Sequence, residues 1–302
     1  MTDLFVGTVG EGLWRSADGE DWLRVPRMPA DAPIYSLAPG AGVLAGSRGC
    51  LYRNVGGGWA GRWVRLPLPD ASLEAWAVAA DPGRPSTLLV GCRPLALLRS
   101  DDGGLHWTAL PFGLPPGTER PHTPRVTTIL AESDALWCGV EVGGVFVSRD
   151  AGAHWTAVND GLPSLDIHAL GRVEALLAAT PRGIARLDGA WRAADFQAPW
   201  TYCRALAALP GRPGEWLCGA GDGPPGTQGA VMRSEDDGRT WRPALVPGAA
   251  ASTIWSVAVS PDDPDVALAG AIKGEVFLSE DGGSTWRRLA RAFGEIRGVL
   301  IS

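Results

Sequence analysis

Short apolar runs, broken at regular intervals by polar, glycine-containing turns, recur along the whole chain and fall into one register. The first run of each unit, strand A, reads Ile34-Tyr35-Ser36-Leu37, Ala75-Trp76-Ala77-Val78, Val126-Thr127-Thr128-Ile129, Ile167-His168-Ala169-Leu170, Cys203-Arg204-Ala205-Leu206, Ile254-Trp255-Ser256-Val257 and Ile296-Arg297-Gly298-Val299. The next, strand B, ends on a small or β-branched residue followed by glycine: Val6-Gly7, Ala45-Gly46, Val90-Gly91, Cys138-Gly139, Cys218-Gly219 and Ala269-Gly270, with Ala178-Ala179 in the fifth copy. A third run leads to a tryptophan that opens strand D: Trp22, Trp63, Trp107, Trp155, Trp191, Trp241 and Trp286, separated by 41, 44, 48, 36, 50 and 45 residues. Short strands at so regular a period are the signature of a repeat architecture rather than of independent elements.

A four-strand unit of this length is one blade of a β-propeller. Seven copies predict an all-β, seven-bladed β-propeller of four-stranded antiparallel blades, forming a single domain over residues 1–302. The chain begins in a B run and ends in an A run, so the C-terminal strand should complete the N-terminal blade and remove the free sheet edge. A glycine recurring inside strand B marks a close backbone approach, expected between neighbouring blades.

Between strands C and D lies a turn of fixed chemistry. It reads Ser279-Glu280-Asp281-Gly282-Gly283-Ser284-Thr285-Trp286, recurs at Ser234 to Trp241, and recurs with His for Thr at Ser100 to Trp107 and Ser148 to Trp155. A copy one residue shorter runs from Ser16 to Trp22, and blades two and five lack it. Asp can accept hydrogen bonds from the turn's N–H groups and Gly supplies positive φ, so this is a folded hairpin rather than a reactive site. The motif resembles the Asp-box, or BNR, repeat of β-propellers, a family that includes sialidases, xyloglucan-cleaving endoglucanases, sortilin-type receptors and photosystem II assembly propellers. The resemblance implies that the box is structural, on the outer part of each blade, and that function lies at the opposite end, where the A strands begin and the D-to-A and B-to-C loops meet the channel mouth.

Composition narrows the partners. A net charge of −6 over 302 residues argues against duplex nucleic acid. No run is long and apolar enough to span a membrane, and no leader precedes the first strand, so the chain reads as cytoplasmic and monomeric. Cys50, Cys92, Cys138, Cys203 and Cys218 form no close CxxC pair, which suits a reduced compartment, and Cys138 and Cys218 stand where Val or Ala stands in other copies. His106, His122, His154 and His168 are scattered, so no metal and no cofactor is expected.

Within strand A the third position is small and the fourth aliphatic, but the second varies: Tyr35, Trp76, Thr127, His168, Arg204, Trp255 and Arg297. With Arg48, Arg93, Arg182 and Lys273 from the B-to-C loops, these side chains predict an aromatic, mostly cationic funnel for a protein partner or a small anionic or carbohydrate ligand. The competing reading is that they fill the channel in salt-bridged pairs, with the tryptophans packing between blades and His168 a hydrogen-bonded core residue. Two long connections, 112–124 and 221–229, are the expected contact loops.

Catalysis is the alternative. Glycoside hydrolysis requires two facing carboxylates, for which Glu11, Glu141, Asp166 and Asp222 are the candidates. The sialidase-type resemblance implies an arginine triad and a tyrosine nucleophile. Arg204, Arg297 and one of Arg48, Arg93 or Arg182 could imitate the triad beside Tyr35, but the family's F/Y-R-I-P signature is absent. The xyloglucan-cleaving relatives place their cleft between two propellers, and one is read here. A non-catalytic binding propeller is therefore the first reading.

Overall fold

The computed structural model describes residues 3–56, 61–114, 123–245 and 248–302. Every regular element among them is a strand, and the strands form seven sheets, giving the seven-bladed β-propeller that the repeat predicts. Blade 1 is assembled from both ends of the chain. Glu295–Ile301 pairs antiparallel with Leu4–Val9, which continues into Leu13–Ser16 and Leu23–Arg24. The terminal segments also exchange the Asp3 and Ser302 backbone hydrogen bonds, at 2.7 and 3.0 Å. Blades 2 to 7 follow in chain order as simple meanders, with one addition. In blade 6 the two-residue strand Asp195–Phe196 pairs parallel with the outer strand Thr240–Pro243 and makes that sheet five-stranded.

The chain divides into two compact units, one carrying blades 2 to 4 (Ile34–Asp160 with Leu165–Ile167) and the other blades 5, 6, 7 and 1. In each, the A strands of successive blades touch one another, so A is the inner edge of every sheet and D the outer. Strands B and C are buried on both faces, as in Leu136–Val140 and Gly144–Ser148, which is why they read as continuous apolar runs without alternation. The core lies between sheets: Leu89 and Leu97 of blade 3, for example, pack with Val126, Cys138 and Phe146 of blade 4. All five cysteines are free and buried, and burial pushes the Cys92 thiol up to about 12, so they act as small hydrophobes.

The strand B glycines do hold the blades together. A Cβ on Gly91 would lie 2.3 Å from Val126 Cγ1, and one on Gly139 would lie 2.7 Å from Ile167 Cγ2, in each case the first A residue of the next blade. Blade 5 carries Ala179 instead, and the residue in the corresponding place is the small Cys203.

The same glycines face a repeated irregularity. Strand A runs Ala75 opposite Cys92 and Ala77 opposite Gly91, skipping Trp76. Thr127, Arg204, Trp255 and Arg297 are skipped in the same way against Gly139, Gly219, Gly270 and Gly7. In blades 2 and 5, Tyr35 and His168 donate their N–H groups to Gly46 and Ala179, which already pair with the following residues Ser36 and Ala169. Each copy therefore places a β-bulge at its variable second residue, and a bulge re-aims the extra side chain out of the ladder. Variation is tolerated there because the position carries no ladder contact of its own.

At the opposite end of the blade the Ser-x-Asp turns are uniform. Ser279 Oγ donates to Asp281 Oδ1 at 2.8 Å and accepts the Gly283 N–H at 2.8 Å. Asp281 also accepts the Thr285 N–H and Oγ1–H, at 2.8 and 2.6 Å. Trp286 Nε1–H closes the turn on the Gly283 carbonyl at 3.0 Å, and Gly283 has φ +80°. Where His replaces Thr, its ring makes the bond that the hydroxyl makes elsewhere. Nδ1 of His106 and His154 lies 2.6 Å from Asp102 Oδ2 and Asp150 Oδ2. Since a carboxylate only accepts, Nδ1 carries the proton.

Candidate functional site

In blades 2 and 3, side chains of the inner strands and of the B-to-C connections gather around one carboxylate. Glu74, the first residue of the strand Glu74–Asp81, accepts from Arg48 Nη2 at 2.7 Å, Trp76 Nε1–H at 3.0 Å and Tyr35 Oη–H at 3.3 Å, with Arg93 Nη1 at 3.6 Å. Burial raises the Glu74 pKa, but the Trp76 and Arg48 hydrogen bonds and the two arginine charges outweigh it and leave the carboxyl below its usual range. Tyr35 stacks on Trp76 at 5.0 Å and 22°. The guanidinium of Arg125 lies 3.8 Å from the Trp76 ring and pairs with Glu141 at 2.6 Å. Arg48 and Arg93 stand at the edge of this network with 59% and 43% of their side-chain surface exposed, whereas Glu74 keeps 13%. Two half-solvated guanidiniums thus share one carboxylate, and this cluster carries a net positive charge.

The other unit solves the same positions differently. Arg204 and Arg297 lie 4.0 and 4.5 Å from the ring of Trp255, and Arg297 also pairs with Glu295. Arg204 and Trp255 are each only 7% exposed, so this stack is interior packing. His168 is buried, its Nδ1 lies 2.6 Å from the Cys203 carbonyl, and its ring tilts against Tyr202 at 4.8 Å. The acceptor is a backbone oxygen, so Nδ1 is a donor and the imidazole ties blade 5 to blade 6. Thr127 does the same in the other unit, donating Oγ1–H to the Ile167 carbonyl at 2.6 Å. Arg182 is exposed on its B-to-C turn, and Lys273 donates Nζ–H to the Gly226 carbonyl at 2.7 Å.

The residues expected to line a single cationic funnel divide by exposure. Trp76, Trp255, Arg204, Tyr35 and His168 are buried between blades, Arg297 is largely covered, and Arg48, Arg93, Arg182 and Lys273 reach solvent. The four candidate carboxylates also separate by role. Asp222 accepts Thr227 N–H, Thr227 Oγ1–H and Gln228 N–H, folding its own loop, and the Thr227 side-chain bond leads the causes that lower its pKa. Glu11 accepts the Gly294 N–H at 3.1 Å. Glu141 and Asp166 have carboxylate oxygens within 4.8 Å of one another, but Glu141 is buried and engaged by Arg125.

Of the two long connections, 115–122 in the first lies outside the described residues, His122 among them. The second is pinned: besides the Asp222 bonds, Thr253 donates Oγ1–H to Gly223 at 2.5 Å and N–H to Pro225 at 3.0 Å. One feature was within reach of the repeat pattern and missed. Tyr202 occupies the position just before strand A that Glu74 and Arg125 occupy elsewhere, and all three contact the bulge residue of the preceding blade. Glu74 stands out in the sequence only as a neighbour of the strand, because the repeat pattern does not show that four donors converge on it.

No protein-family model matches the chain, and no curated protein sequence matches it. Solved structures do. YCF48 from Cyanidioschyzon merolae is 17% identical with a TM-score of 0.63, over 89% of this chain and 89% of that one. A YCF48 bound to D1 peptide is 17% identical with a TM-score of 0.59, over 94% and 87%. The GH74 enzyme of Niastella koreensis is 13% identical with a TM-score of 0.62, over 99% of this chain and 66% of that enzyme, so the chain spans just under two thirds of its length. At such identities the likeness is one of fold, shared by a glycoside hydrolase and by a peptide-bound propeller.

Proposed function

We propose that this chain is a non-catalytic Asp-box β-propeller that binds an acidic segment of a protein partner where its inner strands begin, with Arg48 and Arg93 as the grip. The observation that carries this reading is the charge balance around Glu74. One largely covered carboxylate, held by hydrogen bonds from the buried Tyr35–Trp76 stack, orients two half-exposed guanidiniums without neutralising both. Pre-oriented arginines suit carboxylate recognition, because part of their conformational freedom is lost before the ligand arrives. Engagement of Glu141 by Arg125 and of Asp222 by its own loop weighs against the hydrolase alternative. The Ser-x-Asp turns support the Asp-box assignment through their shared hydrogen-bond pattern. The YCF48 bound to D1 peptide supports the choice of a peptide as ligand by analogy of fold.

Fluorescence anisotropy with a fluorescein-labelled hexaglutamate peptide tests the reading. Wild-type protein should bind in low salt, and the Arg48→Ala, Arg93→Ala double variant should bind at least tenfold more weakly, about 1.4 kcal/mol, with its melting temperature retained. Equal binding by the two proteins overturns the assignment. Turnover of a fluorogenic glycoside that is lost on Glu141→Gln would restore the hydrolase reading.

A further inference from the structure

Away from the inner strands, blade 1 carries a second arrangement of arginine and tryptophan. Trp14, on Leu13–Ser16, has the guanidinium of its cross-strand partner Arg24 at 4.8 Å from the ring centroid and that of Arg291 at 3.9 Å. Arg291 also lies 5.2 Å from the ring of Phe293, which meets Trp14 edge-on at 6.0 Å and Trp22 at 5.0 Å. The aromatic floor is therefore anchored in the core while both guanidiniums are exposed.

Neither arginine of this pair has a counter-charge among the described residues. Nearby arginines are matched: Arg15 with Asp3, Arg287 with Glu20 and Arg288 with Glu275. Among the described residues no carboxylate lies within 4.0 Å of Arg24 or Arg291. The Trp14 Nε1–H is shut off from water and has no acceptor, so the ring is used here for its face rather than for a hydrogen bond. A guanidinium lying over an indole keeps its N–H edge free to point outward, which pre-orients it for an anion.

We infer that Arg24 and Arg291, seated on Trp14, form an anion site that takes a phosphate monoester. Geometry limits the span. A phosphate about 4 Å from each guanidinium carbon joins two that lie up to about 8 Å apart, and two carbons at 4.8 and 3.9 Å from one centroid are closer than that unless they stand on opposite sides of the ring. Charge selects the ligand: two uncompensated cations match a monoester's charge of about −1.5 to −2 and its three acceptor oxygens, where a carboxylate supplies only one charge. The site is separate from the Glu74 rim and stands without it.

The test uses a fluorescein-labelled glycine-serine octapeptide carrying one phosphoserine, alongside the same peptide unphosphorylated and with glutamate at that position. The phosphoserine peptide should bind, the serine peptide should not, and the glutamate peptide should bind at least fivefold more weakly. Arg24→Gln with Arg291→Gln should reduce phosphopeptide binding tenfold or more without lowering the melting temperature, since both side chains are exposed. Arg48→Ala with Arg93→Ala should leave it unchanged. Inorganic phosphate should displace the peptide; displacement at concentrations near the peptide's own Kd assigns the site to free phosphate, and displacement only at much higher ones assigns it to a phosphorylated chain. Binding that survives the double glutamine substitution, or that is equal for the glutamate peptide, or that is absent for every phosphate probe, overturns the inference.

Discussion

The two ends of each blade follow opposite rules. At the C-to-D turns, four of the seven copies repeat one hydrogen-bond pattern around an aspartate, and arginines there are used to tie neighbouring turns together. Arg99 donates to the Ala151 carbonyl at 3.1 Å, Arg186 pairs with Asp237 at 3.0 Å and Arg287 with Glu20 at 3.0 Å. At the inner-strand starts the backbone is just as regular, since the same bulge recurs, but the side chain it projects is of five different kinds over the seven copies. Regularity in the first case lies in side-chain chemistry, and in the second in backbone geometry that frees the side chain. Such a scaffold can change what it binds without altering how it folds.

The sharpest way to break that division is to attack the backbone approach that both ends depend on. Gly91→Val would force two methyl groups into the space held by Val126 and should lower unfolding free energy by about 3 kcal/mol, read by chemical denaturation. Binding of hexaglutamate by the protein that remains folded should be unchanged. A smaller effect is expected at the turns. Asp281→Ala strands the Thr285 N–H and leaves two hydroxyls without their acceptor, costing about 1 to 2 kcal/mol in partly exposed surroundings. Loss of peptide binding without loss of stability in that variant would reverse the assignment of the two ends.

Acid should expose the same contrast more gently. Hydrogen bonds from the His154 N–H and then its ring, followed by that from Ser148, hold the Asp150 pKa down at about 2, and the corresponding bonds from His106 and Ser100 depress Asp102. Burial raises Asp236 and Asp281, but the turn's hydrogen bonds outweigh it and both end below the usual range. A carboxyl whose folded pKa lies below its unfolded value adds stability above the unfolded value, near 4, and loses it as pH falls through the folded one. The melting temperature should therefore decline from about pH 4 toward pH 2, and more shallowly in Asp150→Asn than in wild type. The smallest change is expected from His154→Thr, because a threonine hydroxyl already makes the equivalent bond at Thr285 and Thr240. Its melting temperature should stay within about two degrees of wild type.

Much of this molecule was legible in one dimension. Blade number, the closure by Ile296 to Ile301 and the glycine approach all follow from period and residue size, since a repeat that packs on itself must place like residues in like surroundings. The seven variable positions emerge from the same repeat pattern. Their partners do not, because that pattern assigns one environment to Trp76 and Arg204, which are both buried, while the side chains that meet them depend on the neighbour each blade presents.

The amino-acid sequence by itself determined a seven-bladed propeller with uniform turns at one end and variable residues at the other, because local period and turn chemistry act within a few residues of the chain. Only the tertiary structure decided which charges meet. That Glu74 gathers Arg48 and Tyr35, and that Arg291 arrives over Trp14 from the far end of the chain, depends on contacts across 26 to 277 residues, which no local pattern encodes.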